Sequence, residues 1–429
     1  MIFLSTLIDY VVARRISIHR QHQKNRAFRW LLVSVVVNLT ILGFFKYFNF
    51  FIDSFLALFA SLGLVLETTT LQIILPIGIS FYTFQTLSYS IDVWRGRQTA
   101  EPDFINFALF VAFFPQLMAG PIERAKKLLP QIQLPRTVSS EDIGYGSWLI
   151  LWGLFKKVWI ADNLARFTGA IFNASPAEVH GGLIYLALFA FVLQLYCDFS
   201  GYSDMARGIA RLMGFRLSIN FNLPYFASSP AELWRRWHIT LSNWFRDYLY
   251  ASLRKLTLFN LNWKLWALLP TMALVGLWHG ANWTFVVWGC VWGIILIIDR
   301  IVHPQITIGV DSRSHLGRLL HYGGILLTFQ LWMLSGLLFC SPSLANSMEW
   351  SLQLLNDFKV DEAFWANFLG IIGFSTPLFI MQFAQHRTHQ LDLFLRSPFA
   401  LKVVTVLILL VLMLSLSEGN GREFFYFQF

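Results

Sequence analysis

Residues 30 to 51, 318 to 340 and 364 to 385 are nearly unbroken apolar runs. Each has the length a helix needs to cross lipid, roughly 20 residues rising about 1.5 Å apiece. That length decides the class of fold, because inside lipid each backbone amide must find its partner within the structure, and a helix satisfies its own. Further runs at 146 to 162, 181 to 197, 265 to 298 and 399 to 416 extend the pattern, leaving room for about ten spans joined by short loops. Of the 429 residues 56% are hydrophobic and only 13% charged, with 42 Phe and 17 Trp. A soluble domain of that make-up would precipitate, whereas lipid-facing surfaces and interfacial belts use such residues. The expected fold is all-α and polytopic, one transmembrane domain over 1–429 with no internal repeat or soluble domain.

The formal charge of +9 raises the question of nucleic acid. The basic residues lie between apolar runs and not on one soluble face, so they read as the positive-inside signal of a multi-pass protein, and no nucleic-acid partner is expected. Arg14, Arg15, Arg20, Lys24, Arg26 and Arg29 occupy 14 to 29 without an acid, which predicts a cytoplasmic loop there, and another at 122 to 142. Cys197, Cys290 and Cys340 are scattered in apolar sequence with no CxxC or CxxH spacing, so neither a disulfide framework nor a metal site is indicated. No short apolar segment with a small-residue cleavage site opens the chain, and no removed signal peptide is expected.

Taken in order, residues 1 to 13 are apolar but too short to span. The run 53 to 65 reads as a half-buried extension of 30 to 51, the linker holding Glu67 should face outward, and 71 to 91 reads as a span. Hydroxyls and an amide between Ser80 and Ser90 point to interhelical hydrogen bonds. Residues 104 to 118, ending in Gly120-Pro121, are too short to cross and read as re-entrant. After the run at 181 to 197 come Asp198-Phe199-Ser200-Gly201-Tyr202-Ser203-Asp204. Here Arg207, Arg211 and Arg216 offer countercharges, and an ion-pair cluster and a substrate contact are both open.

Ser229-Pro230-Ala231-Glu232 carries three helix-start signals: a serine cap, proline at the first position and glutamate three residues after the cap. Trp234, Trp237, Leu241, Trp244 and Tyr248 then make an aromatic stripe, with Arg235, Arg236 and Arg246 outside it, so the helix should lie along or enter the interface. The run 265 to 298 is long for one helix and short for two, which predicts a broken pair with its break at His279-Gly280. Two histidines, His238 and His279, thus stand near the ends of a segment that passes from charged to apolar. An ionisable residue at bilayer depth lines a cavity or has a partner. From the residues alone His279 is either satisfied by a neighbouring helix or catalytic. Gly280 after it would allow close approach, and Trp278 and Trp283 would wall a cavity. His238, beside arginines, reads as an anchoring residue or as a participant. A zinc site is weakly supported by two histidines without a third ligand, and a transporter would show paired broken helices, which are absent.

Several motifs together name a family. Phe114-Pro115-Gln116-Leu117-Met118-Ala119-Gly120-Pro121-Ile122, the Asp198–Asp204 segment, Trp234-Arg235-Arg236-Trp237-His238-Ile239-Thr240-Leu241-Ser242, Phe245-Arg246-Asp247-Tyr248-Leu249-Tyr250 and Gly276-Leu277-Trp278-His279-Gly280 resemble, in this order, the membrane-bound O-acyltransferase (MBOAT) family. The nearest likeness is to its bacterial branch containing alginate O-acetyltransferase. The motif core is about 78–300, and the aromatic ending Phe424-Phe425-Tyr426-Phe427-Gln428-Phe429 is similar to that branch. The apolar sequence before the basic loop is shorter than in the branch, which suggests a truncated start.

The resemblance implies an inner-membrane enzyme in which a ring of about ten transmembrane or re-entrant helices surrounds a central funnel. It implies transfer of an acyl, foremost acetyl, group from a cytoplasmic thioester to hydroxyls of an exported polysaccharide such as alginate. The alternatives are D-alanyl transfer from a carrier protein to a cell-wall polymer, and a transporter or channel for acyl groups or glycan. The family's catalytic histidine falls on His279 and its second polar position on His238. Trp278, Trp237, Arg235, Arg236, Asp198, Ser200 and Asn282 are the candidate donor or acceptor contacts. No resident cofactor or metal is expected, an acyl-CoA being a co-substrate. The lipid bilayer, the polysaccharide and a periplasmic acetyltransferase or export machinery are the implied partners.

Overall fold

A computed structural model describes residues 1–66, 71, 73–76, 78–256, 263–307, 311, 314–415 and 424. The expected linker at Glu67 and the ending after Phe424 lie outside the described residues. Among those described, all regular structure is helical, with no strand. Five helices are long and apolar enough to cross a membrane: Lys24–Ser61, Gly181–Leu212, Trp283–Gln305, His315–Cys340 and Glu362–Thr388, with a shorter apolar helix at Phe399–Ser415. The chain is therefore a multi-pass membrane protein. Only Gly181–Leu212 buries most of its apolar stretch, 83% against 39% or less for the other four, so it is the helix around which its unit is packed. Contacts divide the chain into two compact units, residues 1–138 with 213–218, and 139–212 with 219–429.

In the first unit the basic segment 14 to 29 is not the expected loop. Its residues form the end of Ile2–His19 and the start of Lys24–Leu42, either side of a four-residue turn. The two helices are tied by a buried polar clamp in which Asp9 accepts from Asn38 Nδ2 (2.8 Å), the Ser34 hydroxyl and Ser90 Oγ (3.3 Å). Ser90 belongs to Ile79–Arg95, whose hydroxyls do serve interhelical bonding. The expected span at 71 to 91 is corrected: its helix begins only after Gly78, which has φ 73°, a conformation that glycine adopts without strain. Residues 104 to 118 become two short helices, Phe104–Val111 and Phe114–Leu117, neither able to cross.

In the second unit Ser140–Phe155 runs through a π turn at Lys156–Ala161 into Asp162–Phe172. Its start is a capping box, Ser139 with Asp142. Gly146 and Gly153 face Gly208 and Gly201, both pairs seven residues apart. A Cβ built on Gly153 would stand 2.5 Å from the Gly201 carbonyl oxygen, and one on Gly201 would stand 2.7 Å from that of Gly153. The two helices therefore touch backbone to backbone, the small-residue packing that lipid favours where there is no hydrophobic drive between helices. Gly181–Leu212 continues unbroken through Asp198–Asp204, so that motif sits on a buried helix and not in a connection after a span.

The 265 to 298 run is broken as expected, into Leu268–His279 and Trp283–Thr307. The helix expected to continue from Ser229 is not: Pro230–Arg236 stops, Trp237 is extended, His238 is left-handed, and Ile239–Trp244 begins a new helix. The caps at Ser229 are as read, Ser229 Oγ accepting from the Glu232 amide.

The glycine contact gives a prediction. Gly153→Ala or Gly201→Ala forces a methyl against backbone oxygen, and each should lower the stability of the detergent-solubilised protein by about 1–3 kcal/mol. An unchanged melting temperature for both would show that the helices do not meet there.

Candidate active site

The close approach of Ser140–Phe155 and Gly181–Leu212 puts two consecutive buried lysines against acids of the long helix. Lys156 Nζ donates to Ser200 Oγ (2.8 Å) and Asp204 Oδ2 (2.7 Å). Lys157 Nζ reaches Asp198 Oδ1 (2.8 Å) and Asp162 Oδ1 (2.9 Å). The π turn adds a residue to the helix, and its two lysines serve opposite faces of Gly181–Leu212. Asp198 and Lys157 line a cavity of about 700 Å³, while Ser200, Asp204 and Lys156 line another of about 180 Å³. The countercharges expected from arginines are thus supplied mainly by lysines. Arg207 does bond Asp204 (3.1 Å), but Arg211 pairs with Asp142 and Arg216 belongs to the first unit. Burial of such pairs is costly unless every charge is met, and here each lysine meets two oxygens.

His279 closes Leu268–His279 and is buried. Its ring lies 4.9 Å from Trp278, 5.2 Å from Phe339 and 5.4 Å from Trp288, edge-on to each. It lines a pocket of about 10 Å³, space for little more than a water. Phe191 and Phe339 wall both this pocket and the 700 Å³ cavity, so two rings stand between the imidazole and the open space. Trp283, expected to wall the cavity, is 51% exposed; Trp288 and Phe339 take that place. Gly280 lines the 700 Å³ cavity, and an added Cβ there would stand 2.2 Å from the Phe285 ring. The glycine thus permits the close approach of Phe285.

His238 is fully buried, with φ 39° and ψ 56°. A non-glycine residue there is strained by about 1–2 kcal/mol and persists only where its surroundings hold it. They do: Ile239 N–H donates to the Asn220 carbonyl (2.9 Å), and Asn220 Oδ1 accepts from Thr240 Oγ1 (2.7 Å). Neither ring nitrogen of His238 has a hydrogen-bond partner. Its ring sits against Phe199 (4.6 Å) and Trp278 (5.9 Å). His238 lies outside the long apolar helices, and burial, followed by the effect of nearby His279, holds it well below the ordinary imidazole range. An imidazole with neither nitrogen bonded departs from the rule that buried polar groups are bonded.

The two histidines, 41 residues apart in sequence, are thus both brought against Trp278. Trp237 shares the small pocket with His279 and packs against Trp332 at 4.7 Å. Asn282 lines the large cavity while capping the next helix through the Thr284 amide (3.0 Å) and holding the Pro342 carbonyl (2.9 Å). Arg235 and Arg236 line none of the three cavities. Arg236 is engaged by Glu232 (2.7 Å) and the Asn222 carbonyl, and Arg235 is exposed. Sequence reasoning missed Lys156 and Lys157, although two lysines inside the apolar run 146 to 162 were the signal that could have found them. Among the described residues no three His, Cys, Asp or Glu side chains converge as metal ligands.

The sequence pattern of the MBOAT, membrane-bound O-acyltransferase family, matches residues 97–319, the stretch that holds both histidines and the lysine-bearing π turn. The chain belongs to this family. The probable alginate O-acetylase AlgI of Azotobacter vinelandii is 46% identical over 297 residues, 69% of this chain and 58% of that protein. The peptidoglycan O-acetyltransferase of Helicobacter pylori is 33% identical over 382 residues, covering 80% of this chain and 68% of the relative. The teichoic acid D-alanyltransferase of Streptococcus thermophilus is 28% identical over 321 residues, 68% of this chain and 75% of the relative. The likeness is thus stronger to the alginate O-acetylase type, of whose length the chain spans about three-fifths.

The strain at His238 gives a second prediction. Asn220→Ala removes the side-chain bonds to Thr240 and Ser203 while leaving the backbone bond from Ile239, and should destabilise the protein by about 1–3 kcal/mol, the cost of orphaned buried partners. Thermal unfolding in detergent measures it, and a loss below a few tenths would mean that other contacts hold His238.

Proposed function

We propose that the chain is an inner-membrane O-acetyltransferase that takes an acetyl group from a cytoplasmic thioester, foremost acetyl-CoA, and places it on a hydroxyl of an exported polysaccharide. The observation that carries this reading is the pair of buried histidines around Trp278, one of them without a partner at either nitrogen, beside a 700 Å³ cavity. Acetyl is preferred to D-alanyl because the relatives with O-acetyl-transferring names match at higher identity. A periplasmic acetyltransferase or export machinery is the proposed partner, and a ring of about ten helices around a funnel the proposed arrangement in the bilayer.

In the proposed reaction His279 accepts the hydroxyl proton as the oxygen attacks the thioester carbonyl. The new C–O bond forms, the C–S bond breaks, and the imidazolium returns its proton to the departing thiolate. General-base help of this kind contributes about 10²- to 10⁴-fold. The aromatic cage excludes water, which would otherwise compete for the acetyl group. His238, which also packs against Trp278, orients the imidazole or the donor, and Phe191 and Phe339 must part to admit the acceptor.

Purified protein reconstituted in vesicles with labelled acetyl-CoA and a polysaccharide acceptor tests this. His279→Ala should lose at least about 100-fold in transfer with folding intact, and His238→Ala should lose less. Donor should act only from the cytoplasmic side. Normal acylation by a well-folded His279→Ala protein would sink the mechanism, and solute movement with no covalent product would favour a channel.

A further inference from the structure

Ser335 lies where the indole cage around His279 is tied together, and the role argued for it rests on the acyl-transfer reading above. It belongs to His315–Cys340, one turn before Phe339, whose ring lies 5.2 Å from the imidazole. Facing it are Trp288 and Trp292, four residues apart and so on one face of Trp283–Thr307. Both indoles donate to the one hydroxyl, Trp288 Nε1 at 3.3 Å and Trp292 Nε1 at 3.0 Å. The hydroxyl's own proton goes to the Trp332 carbonyl, 2.8 Å away and three residues back. A serine hydroxyl has one proton to give and two lone pairs to receive with, so all three places are filled. Ser335, Trp288 and Trp292 are all buried. Burial makes an unmet indole N–H costly, and the hydroxyl thereby fixes where each ring can lie.

That constraint reaches the imidazole. The Trp288 ring stands perpendicular to His279 at 5.4 Å, and Ser335 itself lines the small pocket beside that histidine. An edge-on aromatic contact orients its partner only as well as the ring is itself held. The direction of the Trp288 edge is set by the bond at its nitrogen. A hydroxyl whose proton is committed to backbone is poorly placed to attack a thioester, so the serine acts through the indole and not on the substrate.

We propose that Ser335 is a positioning residue: by holding Trp288 it holds the His279 ring at the angle that proton abstraction requires. Ordinary interhelical bonding would use the same contacts, and the two roles differ in what is lost with the hydroxyl. Lost bonding between helices lowers stability. Lost aim lowers turnover of the folded protein while donor and acceptor still bind.

The test uses the full chain in vesicles with labelled acetyl-CoA, alginate and cello-oligosaccharides being offered as acceptors and rates being referred to folded protein. Ser335→Ala should cut kcat about tenfold, the scale of a modest misalignment of reacting groups. KM for acetyl-CoA and for the sugar should stay within about twofold. Ser335→Cys, near in size but weak as an acceptor, should behave alike, and it stands in for the alanine variant if that one does not fold. A double-mutant cycle on kcat reads the route: Trp288→Phe has no N–H to hold, so adding Ser335→Ala to it should cost less than about twofold more. Unchanged kcat in the folded variants overturns the proposal, as does a loss carried by KM alone or a pair of losses that simply multiply in the double variant. Label on neither sugar from the unaltered protein removes the polysaccharide reading, and this inference with it, whereas normal transfer by the folded Ser335 variants removes the inference only.

Discussion

Backbone contact between Ser140–Phe155 and Gly181–Leu212 is the constraint on which the packing of the second unit depends. Four glycines bring the two helices close enough for Lys156 and Lys157 to reach across to Ser200, Asp204 and Asp198, Lys157 also pairing with Asp162 on its own side. In lipid this contact has no hydrophobic drive, so it depends on dispersion at close range and on charges that would be very unfavourable if left unmet. The outcome is a buried helix that contributes to two different polar cavities. A side chain on any of these glycines would widen the helix spacing and strand the lysines.

Around that helix, aromatic rings do what polar residues cannot. Trp278, Trp288, Phe339 and Trp237 enclose His279 and hold the space beside it nearly closed. Two backbone features aim the histidines: the stop of Leu268–His279 before Gly280, and the left-handed turn at His238. The strain of the second is offset by the Asn220 bonds. Strained backbone with an unbonded imidazole at its apex is a local departure from good packing.

Much of this was legible in the residues. The break at His279-Gly280 followed from polar and small residues interrupting an apolar run too long for one helix, and the later spans were marked by length alone. The break at His238 was not legible, because Ser229, Pro230 and Glu232 signal a start and the aromatic stripe keeps helical period through it. Tertiary bonds from Asn220, distant in sequence, override that period. The cage also draws on Phe339 and Trp332, whose apolar run gives no sign of which helix it will face. Lys156 and Lys157 were visible but read as part of a span, and Asp198 was matched to arginines because partners on another helix cannot be seen from spacing.

The central claim is that His279 works at the meeting point of donor and acceptor, behind the Phe191–Phe339 wall. A structure of the protein with a non-hydrolysable acetyl-thioester analogue and an acceptor oligosaccharide tests it most directly. The account predicts the analogue's carbonyl carbon about 3–3.5 Å from a sugar hydroxyl, with that hydroxyl within hydrogen-bond reach of the His279 ring and the two phenyl rings swung apart. A carbonyl carbon found instead in the 180 Å³ cavity beside Lys156, on the far face of Gly181–Leu212, would contradict it.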